Sequence, residues 1–444
     1  MPARMSRAVL TFSLVVLALA SPPFARAEIP VAAEPESVGV SAERLARLRA
    51  GVRRLVEEGR VAGVVTYVAR GGRVVEHGAY GHADREAGRP MTTDTIFRIA
   101  SQTKAFTSVA VMMLVEEGRI GLADPVSLYL PAFARTTVAV APPAGAPAGT
   151  PPSVVPAKRE ITIRDLLTHT AGIGYGGGAA AAQWKAAGIE GWYLADRDEP
   201  VAAVVERMAA LPMEAQPGEM FVYGYSADIL GVVVEKVGGR SLADFIEERI
   251  AGPLGLRDTR FYLPPEQEAR LAAVYAARPD DSIERATDPR TGQGHYVRGP
   301  RAAFSGGAGL LSTARDYGRF LQMLLDGGEL EGVRLLGPKT VELMTANHVG
   351  SLYAEAWPSN TGAGFGLGFE VVEDVGRNGR HGSAGAFGWG GAYHTNFWVD
   401  PEEDLVAVVL AQLLPAGDSE LHRRFRALVY QSIVAPPPEA RGRR

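Results

Sequence analysis

Cysteine is absent from all 444 positions. Disulfides, thiolate nucleophiles, cysteine-held metals and lipid attachment through an N-terminal cysteine are excluded with it. Lysine is almost as scarce, with five residues (104, 158, 185, 236 and 339) among 46 basic side chains. Charge of one sign is lacking too. The formal net charge is −4 and no basic stripe stands out, so the chain carries no electrostatic footprint for nucleic acid. There is no H-E-x-x-H or comparable ligand cluster, which leaves a catalytic metal without its residues; no metal and no cofactor is expected. None of the 19 serines has glycine at both −2 and +2, so the nucleophile elbow of the α/β-hydrolases is missing.

Long apolar runs are missing after the N-terminus. The single notable run, Ala8–Ala20, is uncharged, follows Arg4 and Arg7, and precedes Ala25-Arg26-Ala27. A positive start, a short apolar core and small residues before a cut make residues 1–27 a secretory signal. The run is shorter than the ~18 residues that span a bilayer. The expectation is a mature protein in the periplasm or secreted, with no stable membrane insertion.

What is present is ordinary for a globular protein: 46% hydrophobic and 22% charged residues. The length suits one large or two interleaved domains. Residues 41–58 space Leu45, Leu48, Val52 and Leu55 as a helix with Ser41 as N-cap. VAGVVTYVARGGRVVEHGAYG reads as a hairpin around Gly71-Gly72. Residues 101–117 read as a buried apolar helix. The segment 134–160 is so rich in Pro, Ala and Gly that a long irregular surface loop is expected, and GIGYGGGAAAA (172–182) reads as a second flexible stretch. Helical patterns dominate 199–251. Strands return in FGLGFEVVE, HTNFWVD and EDLVAVVLAQ, and 419–433 suits a closing helix. Strands at both ends with helices between predict an α/β (mixed α and β) fold: a discontinuous sheet domain, 28–117 plus 300–434, with a mainly helical domain, 118–299, inserted, and a disordered tail at 435–444.

One short stretch, RIASQTKAFTS, holds the chemistry. On a helix Ser101 and Lys104, three apart, share a face. A serine hydroxyl is a poor nucleophile until a base takes its proton. Lysine serves as that base only where its surroundings disfavour the ammonium, and Ile99, Ala100, Ala105, Phe106 and Val109 surround this one with apolar groups. Arginine, the chain's usual cation, cannot give up its proton. By itself S-x-x-K arises too easily by chance to carry a function. His169 in LLTHTAG is a rival base whose bland reading is a structural histidine, and His381 and His394 flank a glycine-rich segment without a spacing that forces a role.

The run TIFRIASQTKAFTSVAVMMLVEEGRIGLADPV resembles the nucleophile helix of the serine β-lactamase and penicillin-binding-protein superfamily, in the class C-like branch that includes the family VIII carboxylesterases. ITIRDLLTHTAGI and AFSGGAGLLSTARDYGRFLQMLL resemble further family segments, and the likeness runs in order over roughly residues 40–430. It implies an antiparallel sheet flanked by helices, with Ser101 as nucleophile and Lys104 as base. In the place of the family's Tyr-x-Asn stands Tyr223-Gly224-Tyr225. The resemblance therefore implies Tyr223 as the catalytic tyrosine, with Tyr225 as second choice and as a substrate contact. In the place of Lys-Thr-Gly stands Trp389-Gly390-Gly391, a substrate-binding edge, and the N–H groups of Ser101 and Ala392 form the implied oxyanion hole.

Two departures matter. Tyr225 replaces the asparagine, and Trp389 the lysine that helps hold a substrate carboxylate in lactamases. Both remove polar recognition and add aromatic surface, which favours a neutral ester over a β-lactam or cell-wall peptide. The reading is an exported serine hydrolase, a carboxylesterase for small or short-chain esters acting through an acyl-serine. The alternatives are a β-lactamase, D-aminopeptidase or D,D-peptidase acting on amides, and a non-catalytic penicillin-binding-like envelope protein. The small-molecule substrate is the expected partner; the sequence leaves the oligomeric state open.

Overall fold

A computed structural model describes residues 28–287, 293–415 and 420–438. Its centre is an eight-stranded antiparallel sheet. The strands are β1 (Gly63–Arg70), β2 (Arg73–Asp84), β3 (Arg89–Pro90), β4 (Ala363–Phe365), β5 (Glu370–Val372), β6 (Phe387–Gly391), β7 (Thr395–Asp400) and β8 (Leu405–Leu410), in the spatial order β4-β5-β6-β7-β8-β1-β2-β3. Strands from the two ends of the chain meet where β1 pairs with β8, Val65 opposite Leu410 and Arg70 opposite Leu405. The β1–β2 loop is two residues long. Gly71 and Gly72 have φ of 58° and 65°, the double positive φ that a two-residue hairpin turn needs.

Both faces of the sheet are covered, which explains why β1 and β8 read as unbroken apolar runs. Val64 and Val68 of β1 face one layer, built by α1 (Ala42–Glu57) and the C-terminal α5 (Glu420–Ser432) with Leu48, Val52, Phe425 and Val429. Val65, Tyr67 and Ala69 point to the other face, toward α2 (Thr103–Glu116) and α4 (Ala314–Leu325). Ser41 caps α1, its hydroxyl accepting from the Arg44 N–H at 3.3 Å. Every residue of α2 from Thr103 to Leu114 is buried, because α3 (Ser226–Gly238) packs on the side that the sheet layer leaves free.

Three expectations are altered. The segment 134–160 is not wholly irregular: Thr137–Val140 pairs antiparallel with Ser153–Pro156, and Val138 also bridges Met213. The prolines at 142, 143, 147, 151 and 152 all fall between two short β-branched runs, so composition averaged over the window hides both strands. The chain beyond 434 is ordered through residue 438, and the remaining six residues lie outside the described ones. The Ala435 carbonyl accepts from buried Arg70 at 2.9 Å, and its N–H donates to the Gly39 carbonyl. Nor is 118–299 a separate body. One continuous core runs from β1 and β8 through α2 to α3, and Tyr275–Ala277 pairs in parallel with Leu413–Leu414. The expected signal, 1–27, lies outside the described residues.

Candidate active site

Ser101 sits in a 3-10 turn, Ala100–Gln102, between the short strand Phe97–Arg98 and the start of α2. Ala100 holds φ of 42°, a left-handed conformation strained for a residue with a side chain, in a fully buried setting. The turn sets the Ser101 hydroxyl ahead of the helix, at the wall of a cavity of about 660 Å³.

Lys104, 3% exposed, reaches up from the first turn of α2. Its Nζ donates to Ser101 Oγ at 3.2 Å, to Tyr175 Oη at 3.1 Å and to the Gly307 carbonyl at 2.8 Å. All three partners are neutral oxygens, and the Ser101 contact can run either way: from Nζ as an ammonium, or from the hydroxyl to the lone pair of a neutral amine. Gly307 is held through its N–H by Asp228, a buried acidic residue on α3. Its Oδ1 accepts from Ser305 Oγ at 2.6 Å and from the Gly307 N–H at 3.1 Å. Burial pushes the Asp228 carboxyl up, while the Ser305 hydroxyl and the Lys104 charge oppose this.

Tyr223 lies on the far side of the ammonium, its ring centre 4.7 Å from Lys104 Nζ and its hydroxyl accepting from Trp389 Nε1 at 3.0 Å. Tyr175 was not anticipated as a functional residue. The stretch around it read as flexible, yet its hydroxyl is a direct partner of Lys104. The available signal was a single tyrosine among glycines just after LLTHTAG. Gly224 lets the two tyrosine segments meet, since a Cβ there would lie 2.3 Å from the Ile173 carbonyl. Burial, reinforced by the neighbouring Tyr223, pushes the Tyr175 phenol well above its ordinary range.

Tyr225 is not a substrate contact. It is fully buried, donates its hydroxyl to the Gly191 carbonyl, stacks on Trp184 and presents its ring to the edge of Tyr175 at 5.0 Å. Residues 221–224 are irregular, without helical turns, so Tyr223 and Tyr225 point in different directions; Tyr225 supports Tyr175 from behind. Ser101, Tyr223, Trp389, Gly390, Gly391 and Ala392 all line the cavity. At the end of β6 a Cβ on Gly391 would lie 2.3 Å from both the Ile99 carbonyl and Thr395 Oγ1, so glycine is what lets the strand close on the backbone before Ser101. Trp357 stacks on Trp389 at 5.9 Å, and Tyr353 and Trp192 complete an aromatic wall. His381 also lines the cavity, whereas His394 is buried with Nδ1 against the Leu413 carbonyl.

His169 is buried beneath Tyr223, ring centres 4.6 Å apart, with φ of 55° and no hydrogen-bond partner for Nδ1 among the described residues. Burial, with a smaller push from Lys104, holds its pKa well below the ordinary 6.5, so the imidazole is neutral in the folded chain. The unfolded chain then binds one more proton than the folded one below the ordinary value. Stability is full above that value and falls as pH drops below it. Relative to His169→Phe, the wild type is expected to lose about 1.4 kcal/mol for each pH unit below the ordinary histidine value, down to the folded-state pKa. Urea unfolding of both proteins across pH 4–8 measures the difference in slope; parallel profiles would refute a buried neutral imidazole.

The model of the family described as Beta-lactamase matches residues 48–431. Esterase EstB of Burkholderia gladioli is 33% identical over 402 residues, covering 87% of this chain and 95% of EstB. Lovastatin esterase of Penicillium rubens is 30% identical over 365 residues, covering 78% and 88%. Among solved structures, EstCE1, a hydrolase with promiscuous acyltransferase activity, superposes with a TM-score of 0.75 at 30% identity, covering 87% of this chain and 98% of EstCE1. A family model over most of the chain, with relatives at 30% identity or more that cover it widely, places it: the chain belongs to the Beta-lactamase family, as a serine hydrolase.

Proposed function

We propose that the protein hydrolyses small carboxylic esters through an acyl-Ser101 intermediate, as an exported enzyme. The observation that carries this is Lys104, buried and bonded, among the described residues, to neutral oxygens alone, 3.2 Å from the Ser101 hydroxyl. Ser101 Oγ attacks the ester carbonyl carbon, and its proton passes to the lone pair of Lys104 Nζ, present as the neutral amine. The N–H groups of Ser101 and Ala392 hold the oxyanion. As the C–O bond breaks, the proton returns to the alcohol oxygen through Lys104 and the tyrosines beside it, Tyr175 and Tyr223. Water then attacks the acyl-serine, giving its proton to the same base and releasing the acid and the Ser101 hydroxyl.

Ester rather than amide substrates are supported by Trp389 in the family's lysine position, by the aromatic wall, and by the esterase names of two relatives. Export rests on residues 1–27 and is tested by N-terminal sequencing of protein recovered from the periplasm or medium. Two measurements test the chemistry. Intact mass after treatment with an ester-mimicking phosphonate should show one adduct on the wild type and none on Ser101→Ala; an adduct that persists in the variant removes Ser101 as nucleophile. 4-Nitrophenyl butyrate should be turned over far faster than nitrocefin, and the reverse order would make the enzyme a lactamase.

A further inference from the structure

The cavity that holds Ser101 extends beyond the aromatic wall. It continues past Gly388 and Gly390, where β6 carries no side chain, to Arg423 and Arg426 of α5 and to Arg380 and His381. Among the described residues one acidic side chain lines it, Glu370. Its Oε1 accepts from Arg380 at 2.7 Å and its Oε2 from the Tyr353 hydroxyl, so its charge is already matched. Arg426 is different. Its Nη1 donates to the His381 carbonyl at 2.9 Å and its guanidinium lies 4.3 Å from the Trp398 ring centre, but no carboxylate is within ion-pair distance among the described residues. The other groups that face it are Tyr430, Arg380, Glu370 and Asp400. Asp400 is engaged elsewhere, accepting from the Tyr430 hydroxyl and from the N–H groups of Ser383 and Glu403.

Arg426 is partly exposed to the cavity and has no counter-ion among the described residues, so its guanidinium can take an anion entering there, and its planar fork suits a carboxylate. Resting on the ester-hydrolase reading above, we propose that this end of the cavity binds a carboxylate carried by the substrate, with Arg426 as its principal partner. The preferred substrates are then esters that bear a free acid remote from the scissile bond. The cation comes from α5, a different element from the one that carries a lysine at the position of Trp389 elsewhere in the family.

The test uses matched pairs of activated esters, each as free acid and as methyl-capped acid. On the acyl side these are 4-nitrophenyl monoesters of adipic, pimelic and suberic acid; on the alcohol side, acetates of 4-hydroxybenzoate and 3-(4-hydroxyphenyl)propionate. The readout is the ratio of kcat/KM, free acid over capped, in which a general loss from misfolding cancels. The wild type is expected to favour the free acid at least tenfold in one series at its best length, and the ratio should shrink with added salt. Arg426→Gln should bring it to one or below, and Arg426→Lys should fall between. A ratio of one or less in both series at every length, or a ratio unchanged in Arg426→Gln, overturns the carboxylate site alone. A wild type that turns over neither member of any pair overturns the ester reading and this inference with it.

Discussion

Replacing Lys104 with methionine is expected to lower kcat on 4-nitrophenyl butyrate about a thousandfold, with little change in KM. Methionine matches the lysine stem in length and shape, so the apolar packing of α2 survives; what disappears is the amine hydrogen-bonded to the Ser101 hydroxyl. Lys104→Arg is the sharper control. It keeps the charge but cannot give up a proton, and it is expected to be as inactive as the methionine variant. An arginine variant with more than about a tenth of wild-type activity would mean that the cation acts by electrostatics rather than as a base. Tyr175→Phe and Tyr223→Phe serve as comparators. If the direct 3.1 Å contact to Lys104 Nζ decides, Tyr175→Phe loses more than Tyr223→Phe, each by tens-fold at most.

Gly391→Ala is expected to cost about a hundredfold in kcat, the scale of losing one oxyanion donor. Its Cβ would stand 2.3 Å from the Ile99 carbonyl and from Thr395 Oγ1. Both are held: Ile99 begins the buried turn that presents Ser101, and Thr395 starts β7. Relief comes from moving the end of β6, and with it the Ala392 N–H, away from the reacting carbonyl. Overpacking of this kind costs about 1–3 kcal/mol of stability as well, readable as a lower urea midpoint. Gly390→Ala provides the contrast. Its nearest neighbour is 3.2 Å away, so a shift of a few tenths of an ångström accommodates it and the loss should be smaller. Full activity in Gly391→Ala would show that the oxyanion is held elsewhere.

Local sequence was informative wherever a structural requirement was itself local. The β1–β2 hairpin was legible because Gly71-Gly72 permits a turn that few other pairs do, and the burial of Lys104 because α2 has no polar face. The hairpin inside 134–160 was not, because short β-branched runs vanish in a proline-rich average. Tyr225 was misassigned as a substrate contact: a motif gives spacing along the chain, while direction depends on the local backbone, which there turns Tyr225 into the core.

By itself the sequence singled out Ser101 and Lys104, the order of the motifs and the family they belong to, since these are matters of residue type and spacing. The tertiary structure alone decided which side chains share the cavity. Tyr175 reaches Lys104 from 71 positions away, Asp228 acts on it through Gly307, and Arg426 enters the same cavity from the last helix. Contacts of that range are fixed by how α2, α3 and α5 pack against the sheet, and packing is a property of the whole core that no local stretch of sequence contains.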